Sequence, residues 1–246
     1  MTKDYSIQQT AKILGVNPQT LRRWDKSGRL TAKRKQTGQI SRYYYDENDI
    51  EDFLITDFKA LFKLAKKWAL VSNPLELPRQ FHCQDRSIFK GRLSRLEYDL
   101  SRYNHLIKIF PLIVAVSGEI GNNSFDHNLG NWPDVSGAFF GYNLDERKII
   151  LADRGQGILK TLQRIKPGLS DHQEALKVAF TEMVSGRAPE ARGNGLKFVK
   201  QVVIDNNFKL FFQSGDAVLN LSKKKKNINI EKSRDFIKGT LAQISY

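Results

Sequence analysis

Glu119, Asn123 and His127 stand four residues apart in "SGEIGNNSFDHN", directly after the apolar run "IFPLIVAV". On a helix this spacing puts a carboxylate, an amide and an imidazole on one face. Such a row beside an apolar run is not typical of a solvated face. Three further motifs follow in order. "KIILADRGQGI" ends an apolar run on Asp153, with Gly155 and Gly157 after it. "ARGNGLKFVKQVV" sets Gly193, Asn194, Gly195 and Leu196 at the opening of a second helical pattern. "KGTLAQIS" places Gly239 and Thr240 before a final strand-like stretch. An Asn oxygen is a hard neutral ligand for a cation. Free N–H groups at a helix start suit phosphates. A buried carboxylate is costly unless paired, so Asp153, at the end of an apolar strand, suits a ligand-facing role.

These residues need elements to hold them. The apolar pattern predicts a helix through Glu119 and His127 and strands near 137–142, 147–152, 208–213, 216–221 and 239–245. "SGD" at 214–216 reads as a hairpin turn between two of them. The segment "FTEMVSGRAPEARGNG" reads as a lid. Its Arg187 and Arg192 are either phosphate contacts or solvated charges.

Each glycine motif alone is weak, but the ordered set of four resembles the GHKL ATP-binding domain. That family includes DNA gyrase, heat-shock chaperones, mismatch-repair ATPases, sensor histidine kinases and anti-sigma serine kinases. The resemblance covers roughly residues 105–246. It implies a two-layer α/β sandwich with helices on one face of a mixed sheet, and ATP with Mg²⁺ as cofactors. It implies Glu119 as the base that orients water or a substrate hydroxyl, and Asn123 as the metal ligand. Asp153 would accept from the adenine amino group, with Gly155 and Gly157 letting backbone approach base and ribose. Gly193, Asn194, Gly195 and Leu196 would meet the phosphates, and Thr240 would complete the nucleotide site. His127 matches anti-sigma kinases, or is a helix-face histidine with a structural role. Ser124 stands where many members have Ala. "HLIKIFP" at 105–111 is a poor phosphoacceptor box, and His105 is too close to Glu119 for a separate phosphoacceptor hairpin; His105 reads as structural.

The other end of the chain is basic. Residues 1–45 hold ten Lys/Arg against two Asp/Glu, within a net charge of +14 for 246 residues. A compact cationic block suggests a polyanion partner, most simply nucleic acid. Ser6 can cap a first helix that Gly15 ends, and Asn17 with Pro18 can open a second. Gln19, Thr20, Arg22 and Arg23 lie at the start of that second helix, the end that enters the major groove in a helix-turn-helix. Two short strands around "QTG" would form a wing bearing Lys33, Arg34, Lys35, Arg42 and Tyr43. "AKILGV", "TLRRWDKSGRL" and "RYY" followed by "DI" resemble the MerR and excisionase winged helix-turn-helix family. The resemblance implies binding to double-stranded DNA.

The expected class is thus α+β. Residues 1–55 form the winged helix-turn-helix, 56–78 a linker helix with a Pro-rich boundary, and 79–246 the ATP-binding domain. The linker stripe Phe58, Leu61, Phe62, Ala65, Trp68 and Ala69 suits either docking onto the large domain or a homodimer helix. The single cysteine, Cys83, excludes an internal disulfide. With no signal-peptide core and no run near the roughly 20 apolar residues of a membrane span, the chain reads as a cytoplasmic protein. Two functions are expected: a nucleotide-responsive DNA-binding transcription regulator, or a serine kinase acting on a small STAS-like partner. The expected activity is that of a Mg²⁺-dependent ATPase or protein serine kinase rather than a typical histidine kinase, with ATP binding without turnover left open.

Overall fold

The computed structural model describes residues 3–37, 40–70, 72–182, 195–224 and 228–246. The N-terminal part starts with β1 (Asp4–Ser6) and α1 (Ile7–Leu14). Ser6 caps α1 reciprocally: Gln9 N donates to Ser6 Oγ at 3.3 Å and Ser6 N donates to Gln9 Oε1 at 2.8 Å. Gly15 ends α1 in the left-handed conformation, φ 63°. Asn17 then caps α2 (Pro18–Lys26) by accepting from Thr20 N at 2.7 Å. β2 (Lys33–Thr37) and β3 (Ile40–Asp46) pair antiparallel, and β1 occupies the other side of β3. α3 (Glu47–Thr56) follows, capped by Asp46.

α4 (Phe58–Leu70) buries Phe58, Leu61, Leu64, Ala65, Trp68 and Ala69. After it come β4 (His82–Cys83), α5 (Arg86–Ser101), α6 (Phe110–Asn128), β5 (Ala138–Asn143) and β6 (Lys148–Asp153). Then follow α7 (Gly157–Gln163), α8 (His172–Thr181), α9 (Gly195–Asp205), β7 (Lys209–Ser222) and β8 (Ile230–Ser245). β4, β5, β6, β8 and β7 form one sheet in that order.

Three expectations about this sheet are corrected. It is antiparallel at every pairing among the described residues rather than mixed. β6 reverses directly onto β5, and β8 runs antiparallel to both its neighbours. Helices cover both faces, not one. Ile149, Leu151, Phe140 and Ala242 share a core with Phe89, Val116, Leu176 and Val199 of α5, α6, α8 and α9. Ile150, Ala152, Phe139 and Leu241 point the other way, into a core with Leu61, Ala65 and Trp68 of α4 and with Leu21 and Tyr45 of the N-terminal part. This alternation is the period-two pleat of a strand. The apolar stripe of α4 is therefore used inside the chain, and the homodimer-helix alternative loses its surface.

Third, "SGD" is not a hairpin turn. β7 runs through it as one strand of 14 residues with bulges between Ser214 and Ala217. Gly215 takes φ 58° there, and pairing with β8 resumes at Ala217. A bulge satisfies the same Gly-centred signal as a turn without ending the ladder.

Candidate functional site

α6 carries the row Glu119, Asn123 and His127, and β6 and β8 place Asp153 and Thr240 across from it. Between them lies a cleft with about 350 Å³ of free space. Asn123, Ser124, His127 and Asn128 line it from α6, Asp153 from β6, Gly157, Ile158 and Thr161 from α7, and Leu196 and Thr240 from α9 and β8.

Asp153 is fully buried at the floor of this cleft, at 1% exposure. Ser124 Oγ donates to its Oδ2 at 3.0 Å, and Thr240 Oγ1 donates to the same oxygen. Gly155 N donates to Oδ1 at 2.7 Å. Burial pushes the carboxyl above its ordinary range, while these three bonds and a fourth from the Thr240 backbone N–H pull it back. Ser124 and Thr240, which hold Oδ2, line the cleft together with Asp153. Gly239 packs directly on the carboxylate. A Cβ there would collide with Asp153 and come within 2.6 Å of Gly155 N.

Glu119 sits one turn before Asn123, toward α9. A Cβ on Gly195 would strike Glu119 Oε2, and Asn123 Nδ2 would be 3.7 Å away. Glu119 and Asn123 thus meet the first residue of α9, where N–H groups lack helical partners. Gly157 (φ 76°) opens α7 beside Ser214, whose Oγ accepts from Ile158 N at 3.0 Å and donates to Gly239 O at 2.9 Å. Gly155 packs against the cleft-lining Asn128: a Cβ there would overlap the Asn128 side chain. Asn128 was missed in the sequence, though it lies four residues after Ser124 on one helical face. Its Nδ2 donates to Ser124 O and its Oδ1 accepts from Gln156 N, both at 2.8 Å. Gly193, Asn194, Arg187 and Arg192 lie outside the described residues.

The residue after Asp153 points through the sheet. Arg154, fully buried, donates to Trp68 O and, at 3.4 Å, to Ser72 O, the carbonyls at the end of α4. Its guanidinium also forms a two-point pair with Asp134, which accepts from Lys238 Nζ at 2.9 Å as well. Although partial burial acts against it, these donors hold Asp134 down at about 2. Two neighbouring residues of β6 and its end therefore serve opposite faces: one the cleft, the other the helix leading to the N-terminal part.

On that part, Gln19, Arg22 and Arg23 of α2 are exposed. Thr20 is tied to the helix start, donating to Asn17 Oδ1 at 3.0 Å and accepting from Arg23 Nη2 at 3.2 Å. The β2–β3 register pairs Lys35 with Arg42 and Arg34 with Tyr43. Opposed residues share a face and successive ones alternate, so Lys33, Lys35 and Arg42 are on one face of the wing, Arg34 and Tyr43 on the other. Arg34 lies 5.1 Å from the Tyr43 ring centre. Lys33 is paired with Asp46 at 3.4 Å and Asp49 at 3.2 Å, which leaves it less charge to offer than its neighbours.

The N-terminal architecture is a winged helix-turn-helix. Residues 5–57 match the family described as "MerR HTH family regulatory protein", so this segment is a MerR-type domain of the DNA-binding, transcription-regulating class. A curated relative, the type II methyltransferase M.Eco47II of Escherichia coli, is 25% identical over 231 residues. The match covers 86% of this chain and 51% of that protein, so the chain spans about half the relative's length. No solved structure matches the chain. Among the described residues no helix is long and apolar enough to cross a membrane, and no group of three or more His, Cys, Asp or Glu is arranged to hold a metal.

Proposed function

We propose that the chain is a DNA-binding regulator whose second half is a GHKL-type domain that binds ATP with Mg²⁺. The observation that carries this reading is the buried Asp153 carboxylate in the lining of the cleft, with one oxygen held by Ser124 and Thr240, which line it too. A buried acceptor of this kind suits an exocyclic amino group, which the adenine ring supplies. The residues present fit the remainder of the nucleotide: Gly157 and Leu196 along the cleft, Asn123 as an oxygen ligand for Mg²⁺, and the first residue of α9 for phosphate oxygens. Glu119, beside Asn123 and Gly195, is the base for hydrolysis or transfer. Mg²⁺ would neutralise phosphate charge, and Glu119 would hold the attacking hydroxyl or water. DNA contacts are assigned to Gln19, Arg22 and Arg23 of α2 and to Arg34, Lys35, Arg42 and Tyr43 of the wing.

The reading also supplies a route for regulation. Asp153 meets the ligand while Arg154 holds the end of α4, and α4 is packed between the sheet and the helix-turn-helix. The methyltransferase relative does not lead us to propose methyl transfer. The nucleoside-binding switch point of open α/β sheets needs parallel strands, and this sheet is antiparallel. The test is incubation of the full chain with γ-labelled ATP and Mg²⁺, with and without duplex DNA and with and without cell extract. Free phosphate reports hydrolysis and a labelled protein reports a kinase. Retention of intact ATP on the chain reports a switch that binds without turnover. No retention and no turnover would end the ATP reading.

A further inference from the structure

Beyond residue 57, where the MerR match ends, α4 brings two lysines back onto the helix-turn-helix. Lys63 Nζ donates to Gly15 O at 2.8 Å and Lys67 Nζ donates to Lys12 O at 3.0 Å. The alkyl end of Lys63 lies over Gly15, its Cε 3.0 Å from where a Cβ would stand. Lys12 is exposed beside them. Among the described residues none of the three has a carboxylate within ion-pair distance. Burial, added to by their mutual proximity, pulls the Lys67 ammonium below its ordinary range.

The bland explanation is that these amines complement the end of α1, whose carbonyls carry about half a negative charge. Three positive charges exceed that by roughly 2.5. The excess is held in place: two of the ammoniums are fixed on backbone carbonyls, and each has two N–H donors left. The position matters too. Gly15 is three residues before Pro18, the first residue of α2, and three residues span at most about 10 Å. Lys63 Nζ, 2.8 Å from Gly15 O, thus lies within roughly 13 Å of the end of α2 that enters the groove, about one major-groove width, with Lys12 and Lys67 one helical turn further back.

We propose that Lys12, Lys63 and Lys67 form a phosphate site for the backbone of duplex DNA, extending the footprint of the helix-turn-helix onto α4. This rests on DNA binding by the N-terminal part and is independent of the ATP reading. The site reads no bases; it adds affinity and fixes orientation on the duplex.

The test is a salt titration by fluorescence anisotropy, using the full chain and a labelled duplex of arbitrary sequence. Every phosphate left without its cation should reduce the slope of log affinity against log salt by about 0.9. Lys63→Gln with Lys67→Gln should lower the slope by roughly 2 and weaken all duplexes alike. Lys63→Arg should keep it, and Lys177→Gln, on α8, serves as the unaffected control. Lys12→Gln removes a charge from a side chain that donates to neither carbonyl, so a lower slope with an unchanged melting temperature separates DNA binding from helix capping. Unchanged slopes in both sets, with only a lowered melting temperature in the first, would overturn the proposal. Absence of salt-dependent binding by the parent chain on any duplex would instead overturn the DNA reading beneath it.

Discussion

Replacing Asp153 with Asn should separate ligand binding from folding. Four donors around the carboxylate decide the outcome: the Ser124 and Thr240 hydroxyls and the Gly155 and Thr240 N–H groups. Gly155 N requires an acceptor at Oδ1, so the new amide must keep its oxygen there and put its NH₂ where Oδ2 was. Ser124 and Thr240 can adapt, because a hydroxyl rotates from donor to acceptor. The fold keeps all but at most one of these hydrogen bonds, the Thr240 N–H being unable to rotate; one buried donor left unmet costs about 1–3 kcal/mol, so thermal melting should fall by several degrees with the fold intact. The ligand does not adapt. An amino group that met a carboxylate oxygen now meets another donor. The missing charge-assisted bond is worth about 1.5–3 kcal/mol, and the unmet buried donor costs about 1–3 kcal/mol more. Together they predict at least ~60-fold weaker ATP binding, at 1.4 kcal/mol per tenfold. Calorimetric titration of both chains with ATP and Mg²⁺ measures this. Burial raises the Asp153 carboxyl. Parental affinity should therefore fall on acidification at a higher pH than an ordinary carboxylate would give, and the mutant should lack that fall. Equal ATP affinity in a folded Asp153→Asn chain would refute the reasoning.

Other expectations concern the surroundings. Asp134→Ala leaves the Arg154 guanidinium without its carboxylate and should destabilise by roughly 3 kcal/mol, read in urea unfolding. Because the Asp134 carboxyl is lowered to about 2 in the folded chain, its contribution is complete above the ordinary aspartate range near pH 4 and is lost as pH falls toward 2; that part of the acid limb should disappear in the mutant. Gly195→Ala should displace the Glu119 carboxylate, the end of a flexible side chain, and so reduce ATP turnover while leaving melting nearly unchanged. Gly121→Ala drives a methyl into the buried Phe89 ring and should cost about 1–3 kcal/mol of stability. Arg42→Ala, if it meets phosphate from the exposed face of the wing, should lower the salt slope by about 0.9 on every sequence.

Local signals were legible where chemistry and geometry agree over a few residues. Ser6, Gly15, and Asn17 with Pro18 mark helix ends that their own side chains and backbone enforce. The four-residue spacing from Glu119 was sufficient to place Asn123 and His127 on the helix face beside the cleft. Long-range facts were not legible. Nothing local distinguishes a Gly-centred turn from a Gly-centred bulge at 214–216, since the decision depends on β8 continuing alongside. The apolar stripe of α4 fits a partner helix or a sheet equally well. What settles it is the second row of apolar residues on β5, β6 and β8, which gives the sheet two buried faces. "IIL" and "LA" hinted at that, because strands buried on both faces read as continuous apolar runs. Arg154 was hidden by its type: a charged residue after a strand reads as solvated, and only the carbonyls of α4 and the carboxylate of Asp134 explain its burial. Lys33 was legible as basic, but not as already paired with Asp46 and Asp49.

The central claim is that one chain joins a nucleotide cleft to a DNA-binding surface through α4. The most direct test is reciprocal linkage on the full chain. Duplex affinity is measured by anisotropy with and without saturating ATP and Mg²⁺, and ATP affinity by calorimetry with and without saturating duplex. The account predicts a change in both, by the same factor and in the same sense, in the usual range of about 5–150-fold. Two affinities that each ignore the other ligand would contradict it, leaving two independent sites on one chain.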